Sequence, residues 1–195
     1  MRQRLRTAAA VCGSAVLLVT ALLSGGTATA APVPERPDTP AAAVSPTVQK
    51  FDTRAVYQRV RNFGTHLCLA VPGGSLEEGK QLIQWPCGPW NDHYWAFENA
   101  FTSGGLQYVR IRNLNSGQCL AVPGGSTAAG TTVIQWPCGT WRDHYWGLRV
   151  SSSGTQLVNY NSGQCLGIPG NDPNAGVRVF QWPCGPWPDH YWFPA

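Results

Sequence analysis

The sequence predicts an all-β domain assembled from three copies of one unit, and three observations carry that prediction. The phrase QWPCGPWNDHYW, which begins at Gln84, returns as QWPCGTWRDHYW from Gln135 and as QWPCGPWPDHYW from Gln181. Six cysteines fall into pairs, Cys68 and Cys87, Cys119 and Cys138, Cys165 and Cys184, each pair 19 positions apart. Between these landmarks short runs of alternating apolar and polar residues are punctuated by glycine and proline, and helical periodicity is absent.

Taken in order, the chain opens with Arg2, Arg4 and Arg6, an apolar stretch over residues 7–23, and Ala28-Thr29-Ala30. Basic, apolar and small-residue segments in that order predict a secretory signal peptide over residues 1–30. The apolar stretch is shorter than the roughly 20 residues of a spanning helix. Cys12 stands at its start, whereas a lipid-anchored cysteine would stand at its end. The mature protein is therefore expected to be secreted, extracellular and not inserted in a membrane. Residues 31–52 are rich in proline and alanine and poor in large apolar side chains. Such a segment cannot bury enough surface to fold and is expected to be an extended, disordered linker.

Residues 53–195 are then one domain of ordinary size, with repeats at about 57–100, 107–150 and 155–195. In the second unit, alternation and turn residues predict strands at 107–113, 118–122, 131–136 and 144–149. Ser116-Gly117 and Pro123-Gly124-Gly125 supply turns between them. Four strands in three copies make twelve, a closed or nearly closed body that hides its edges. Matching cysteines recur after 51 and then 46 residues, and the difference lies wholly in the connector between units, as expected of a surface loop.

Equivalent units should make equivalent bonds, so the cysteines are expected to pair within repeats, as Cys68–Cys87, Cys119–Cys138 and Cys165–Cys184. An exported location supplies the oxidising environment. A zinc site would need closer ligand pairs, such as two cysteines separated by two residues.

Without residues 1–30 the count of Lys and Arg falls from 14 to 11 against 10 acids, and no basic patch remains to recruit nucleic acid or an anionic membrane. Asp92-His93, Asp143-His144 and Asp189-His190 are the residues with chemical potential. A catalytic reading needs a nucleophile in reach, yet no serine recurs at a matching place in all three units, and the cysteines are committed. Catalysis is not expected, and no cofactor is implied. Trp95, Trp146 and Trp192 close the repeated phrase in strands and are expected in the core.

Three units with CL, a PGG loop (PGN in the third), W-x-C and a terminal tryptophan resemble the ricin B-type lectin family over about residues 57–195. The resemblance implies a β-trefoil and a glycan or polysaccharide as partner. It also implies a sugar-stacking aromatic two residues before the second cysteine, which falls on Trp85, Trp136 and Trp182. The three histidines would then belong to three separate pockets and not to one metal site on the threefold axis.

The sequence departs from the family at two places, and does so in every unit. The family places an Asp after CL to hold two sugar hydroxyls; here Ala70, Ala121 and Gly167 stand there. The family closes on Q-x-W; here the units close on His-Tyr-Trp preceded by Asp. One reading moves the carboxylate across the pocket to Asp92, Asp143 and Asp189, oriented by His93, His144 and His190. The other makes each Asp-His pair purely structural, a turn and a half-buried histidine. Trp90, Trp141 and Trp187 are expected either as pocket wall or as lids over the disulfides. The third unit differs in its loop, PGNDPNAG, where Asp172 offers a further carboxylate.

The expected function is a secreted lectin with up to three equivalent shallow sites that act together on polysaccharide or glycan surfaces. The alternative is a degenerate trefoil that docks a protein partner within a larger secreted assembly.

Overall fold

The computed structural model describes residues 51–195; the expected signal peptide and the linker as far as residue 50 lie outside the described residues. Twelve strands form: β1 (Arg54–Asn62), β2 (Cys68–Ala70), β3 (Ile83–Trp85), β4 (Tyr94–Ser103), β5 (Leu106–Asn113) and β6 (Cys119–Ala121), then β7 (Ile134–Trp136), β8 (Trp146–Ser151), β9 (Gly154–Asn159), β10 (Cys165–Gly167), β11 (Phe180–Trp182) and β12 (Trp192–Pro194). Six of them close a ring by antiparallel pairing, in the order β1, β4, β5, β8, β9, β12 and back to β1. Closure leaves no edge in the ring. The other six make three hairpins, β2–β3, β6–β7 and β10–β11, whose first strands join β1, β5 and β9.

The hairpins meet one another through a cyclic set of backbone bonds. Leu82 N–H donates to Val133 O, Val133 N–H to Val179 O, and Val179 N–H to Leu82 O, each at 3.0 Å. All three side chains are fully buried. A cycle of three identical donations requires units related by threefold symmetry, so the repeat seen in the sequence is here a feature of the packing.

Trp95, Trp146 and Trp192 lie in the core with no exposed surface, as expected. Each indole finds the partner that a buried N–H needs: Nε1 donates to the carbonyls of Leu69, Leu120 and Leu166 at 3.0 Å. The disulfides are those expected, Cys68–Cys87, Cys119–Cys138 and Cys165–Cys184, with Cα separations of 5.0, 4.9 and 4.9 Å.

Three expectations need correcting. Phe51, assigned by composition to the linker, is buried and stacks on Phe97 with ring centroids 4.1 Å apart. The inner strands are also shorter than alternation suggests, β7 beginning at Ile134 rather than at 131, because residues 131–133 bond to other units instead of to a ladder neighbour. Finally, His144 does not start a strand; it ends a 3₁₀ turn over Arg142–His144, and β8 begins at Trp146.

Candidate functional site

Each unit builds one open cavity at the junction with the next unit. In the first, β2 ends at Ala70 and runs through Val71 into a tight turn, Pro72–Gly74, where Gly73 and Gly74 have φ of 60° and 63°. The chain returns along β3, which presents Trp85, then passes Cys87 and Gly88 to Trp90. A 3₁₀ turn, Asn91–His93, sets Asp92 and His93 opposite the Pro-Gly-Gly turn. Trp85, Trp90, Asp92 and His93 line this cavity of about 600 Å³. Trp136, Trp141, Asp143 and His144 line a second of about 290 Å³, and Trp182, Trp187, Asp189 and His190 a third of about 500 Å³. All twelve candidate residues are thus brought together, four to a cavity, and the three histidines stand in three separate places.

The Asp-His turn is held from the neighbouring unit. Asn62, Asn113 and Asn159 are fully buried, and their Nδ2 groups donate to the carbonyls of Asp189, Asp92 and Asp143 at 2.7, 2.9 and 2.8 Å. Each Oδ1 accepts from backbone N–H groups two and three residues on, so the amide is satisfied on both sides. Gln84, Gln135 and Gln181 act similarly. Their Oε1 atoms accept from Thr65, Ser116 and Ser162 hydroxyls, and their Nε2 groups donate to carbonyls of another unit's loop. Sequence reasoning passed over these residues, although Asn and Gln recurring at fixed register in all three repeats was a readable sign.

Each histidine is buried. Gly88 N–H donates to His93 Nδ1 at 3.4 Å and Gly139 N–H to His144 Nδ1 at 3.3 Å, which puts the ring proton on Nε2. That nitrogen faces the adjoining carboxylate, at 3.6 Å from Asp92, 3.7 Å from Asp143 and 3.5 Å from Asp189. Burial holds all three histidines below their ordinary pKa, opposed by the neighbouring aspartate. In the third unit His190 Nδ1 has no partner.

The aspartates stand beside the position that follows CL. A Cβ built on Gly167 would lie 3.2 Å from Asp189 Oδ2 and 2.9 Å from the His190 ring, so the missing side chain there makes room for the Asp-His pair. With that room, Asp189 Oδ2 also accepts from Ile168 N–H at 3.2 Å. Asp172, offered as an extra carboxylate, faces elsewhere: its Oδ1 accepts from the backbone and side-chain nitrogens of Asn174 at 2.9 and 2.7 Å. A short acidic side chain followed two residues later by a free N–H closes its own turn.

The tryptophans form two walls. Trp85, Trp136 and Trp182 are 42, 38 and 41 % exposed, and each leans on a loop glycine of another unit, Gly176, Gly79 or Gly130. Trp90, Trp141 and Trp187 are 54, 58 and 49 % exposed, with ring centroids 5.1–5.2 Å from the histidines. Each also lies over the glycine that follows the second cysteine. A Cβ at Gly88 would sit 2.0 Å from Trp90 Cζ3, and Gly139 and Gly185 are in the same position. These residues therefore cover the chain next to the disulfide and line the cavity as well. Two exposed indoles in one cavity offer apolar faces, while the carboxylate supplies a polar contact that can fix a ligand's orientation.

The family model described as ricin-type beta-trefoil lectin domain matches residues 56–190. The fold is similar to the designed threefold symmetric protein ThreeFoil, at 22 % identity and a TM-score of 0.66, over 71 % of this chain and 97 % of that one. It is similar to part of 1,3Gal43A, an exo-β-1,3-galactanase from Clostridium thermocellum, at 20 % identity and 0.66, over 75 % of this chain but 31 % of that one. It is also similar to the C-terminal half of an earthworm R-type lectin solved in complex with GalNAc, at 15 % identity and 0.53, over 71 % and 96 %. A search of curated protein sequences finds no match.

Proposed function

This chain belongs to the ricin-type β-trefoil lectin domain family, and from that premise we propose that it is a carbohydrate-binding protein in which Asp92, Asp143 and Asp189 take over the sugar-holding role of the missing Asp after CL. One observation carries the reading: the Asp189 carboxylate lies within 3.2 Å of where a side chain at Gly167 would begin. A carboxylate entering from the Asp-His turn therefore reaches the same corner of the cavity. Among the described residues the Asp92 and Asp143 carboxylates accept no hydrogen bond, the histidine Nε2 atoms standing 3.6 and 3.7 Å away, which leaves their oxygens free to accept from ligand hydroxyls. Trp85, Trp136 and Trp182 offer the stacking face that the family motif implies.

The protein works as a binder and not as a catalyst on this reading. Among the described residues, no serine, threonine or cysteine lines any of the three cavities, so the Asp-His pairs have no nucleophile there to activate. A single open cavity of this kind binds weakly. Three on one rigid body gain by effective concentration, about a hundredfold or more when a polymer or glycan surface engages several. The signal-like N-terminus and the disulfides favour action outside the cell.

The test is a glycan and polysaccharide panel on the purified protein beside an Asp92→Asn, Asp143→Asn, Asp189→Asn variant. The expected outcome is binding by the parent and none by the variant, with the variant's unfolding transition still cooperative. Retained binding by the folded variant would remove the aspartates from the site. Binding by neither protein would favour the docking alternative.

A further inference from the structure

Each cavity lies beside a unit boundary, and the third unit solves that junction differently from the others. Asn115, from the second unit, reaches over the first cavity and donates Nδ2 to Gly74 O at 2.8 Å; Asn161, from the third unit, does the same to Gly125 O at 2.7 Å. The matching residue for the third cavity is Gly64, which has no amide to offer. There the loop itself changes: Asn171 replaces the second glycine of the turn and adopts φ of 55°, a left-handed conformation that asparagine tolerates. Its side chain fills the place left empty by Gly64, since a Cβ on Gly64 would lie 1.9 Å from Asn171 Oδ1. The residue types have exchanged sides: Asn115 and Asn171 line the first and third cavities, and Asn161 stands at the edge of the second, bonded to Gly125 O.

In the first two cavities that corner also holds the carboxylate. A Cβ built on Gly74 would lie 3.6 Å from Asn115 Nδ2 and 4.0 Å from Asp92 Oδ1; on Gly125 the distances are 3.7 Å to Asn161 Nδ2 and 3.9 Å to Asp143 Oδ1. One acceptor and one donor therefore flank the same bare glycine edge. The bond to the Gly74 carbonyl uses one Nδ2 hydrogen and leaves the second, and Oδ1, for a ligand. Two adjacent hydroxyls fit this pair, one donating to the carboxylate and the next accepting from the amide. Among the described residues, no lysine or arginine lines any of the three cavities. An acidic sugar would meet a nearly buried carboxylate with no cation in the cavity lining to offset it.

We propose that Asn115, Asn161 and Asn171 are specificity-determining residues that, with Asp92, Asp143 and Asp189, read a vicinal diol of a neutral pyranoside, and that the third cavity binds on the same terms as the other two. This rests on the carbohydrate-binding reading above and adds to it the ligand class and the partner of each aspartate.

The test follows the tryptophan indole signals of the ¹⁵N-labelled protein by NMR, which reports each cavity separately. The probes are the methyl pyranosides of glucose, galactose, mannose and xylose, methyl glucuronide, and monodeoxy analogues of whichever binds best. Neutral pyranosides should shift indoles of all three cavities, and the glucuronide should not. Asn115→Gly should weaken the first cavity about tenfold, the loss of one hydrogen bond, and leave the others unchanged. Adding Gly74→Asn to Asn115→Gly, which copies the third unit's arrangement, should restore affinity to within about twofold. The analogue lacking the hydroxyl that meets the amide should bind the parent and Asn115→Gly equally.

An unchanged first cavity in Asn115→Gly overturns the proposal. So does an equal loss for every ligand, the deoxy analogue included, because that is the mark of an amide that only braces the loop. A silent third cavity beside two responsive ones overturns its assignment. If no probe shifts any indole, the carbohydrate reading of the cavities falls together with the proposal.

Discussion

Asn113 reaches across the boundary between the first and second units and donates to the Asp92 carbonyl at 2.9 Å. The turn that carries the first cavity's carboxylate is therefore fixed by the unit that follows it. Asn159 and Asn62 repeat the bond at the other two boundaries, the last one closing the chain's final unit onto its first.

Replacing Asn113 with Ala leaves the Asp92 carbonyl and the N–H groups of Asn115 and Ser116 without their partner. Because Asn113 is fully buried, the expected loss is about 2–3 kcal/mol of stability, read as a lower urea midpoint. Ligand response should weaken at the first cavity and persist at the other two. Equal weakening at all three would mean that the bond supports the whole fold and not one turn.

Gly88→Ala tests the position of Trp90. The new methyl would collide with the indole, and Trp90, more than half exposed, is free to swing away. Stability should fall by about 1–2 kcal/mol, while the Trp90 indole signal moves and the first cavity loses its ligand response. An unmoved indole would show that the backbone gives way instead.

Acid should weaken the fold through the three buried histidines. Their folded pKa values lie below the ordinary 6.5, chiefly through burial, with the aspartates opposing. Above 6.5 both folded and unfolded chains hold neutral imidazoles, and this contribution is complete. Below 6.5 the unfolded chain takes up protons first, so stability is lost as pH falls from 6.5 toward the depressed folded values. Urea midpoints at pH 7.5 and 5.5 should differ, and the difference should shrink in a His93→Gln, His144→Gln, His190→Gln variant. A difference as large in that variant would assign it to other groups.

Trp146→Phe removes a buried N–H and leaves both a void and an unpaired Leu120 carbonyl. The expected cost is about 2–4 kcal/mol, with binding at saturating ligand intact because Trp146 lines none of the three cavities. Loss of the ligand response in a folded variant would contradict the division between core and wall tryptophans.

The sequence by itself determined the threefold all-β plan, the disulfide pairs and the core role of Trp95, Trp146 and Trp192. Each of these is written as a spacing that repeats, and identical local sequences in a shared environment must fold alike. It also brought the right residues to notice for each cavity, because an Asp-His pair flanked by tryptophans stands out in any unit taken alone.

What only the tertiary structure decided lies between units. Nothing in the spacing of Ala70 or Gly167 says that the Asp-His turn folds back over that position, or that Asn113 belongs to the first cavity and not to its own. Nor could the sequence relate Gly64 to Asn171, more than a hundred residues apart, as two halves of one exchange. Such relations depend on closure of the ring. A repeat encodes its own strands locally, but the surface it shares with its neighbour exists only once all three units have packed.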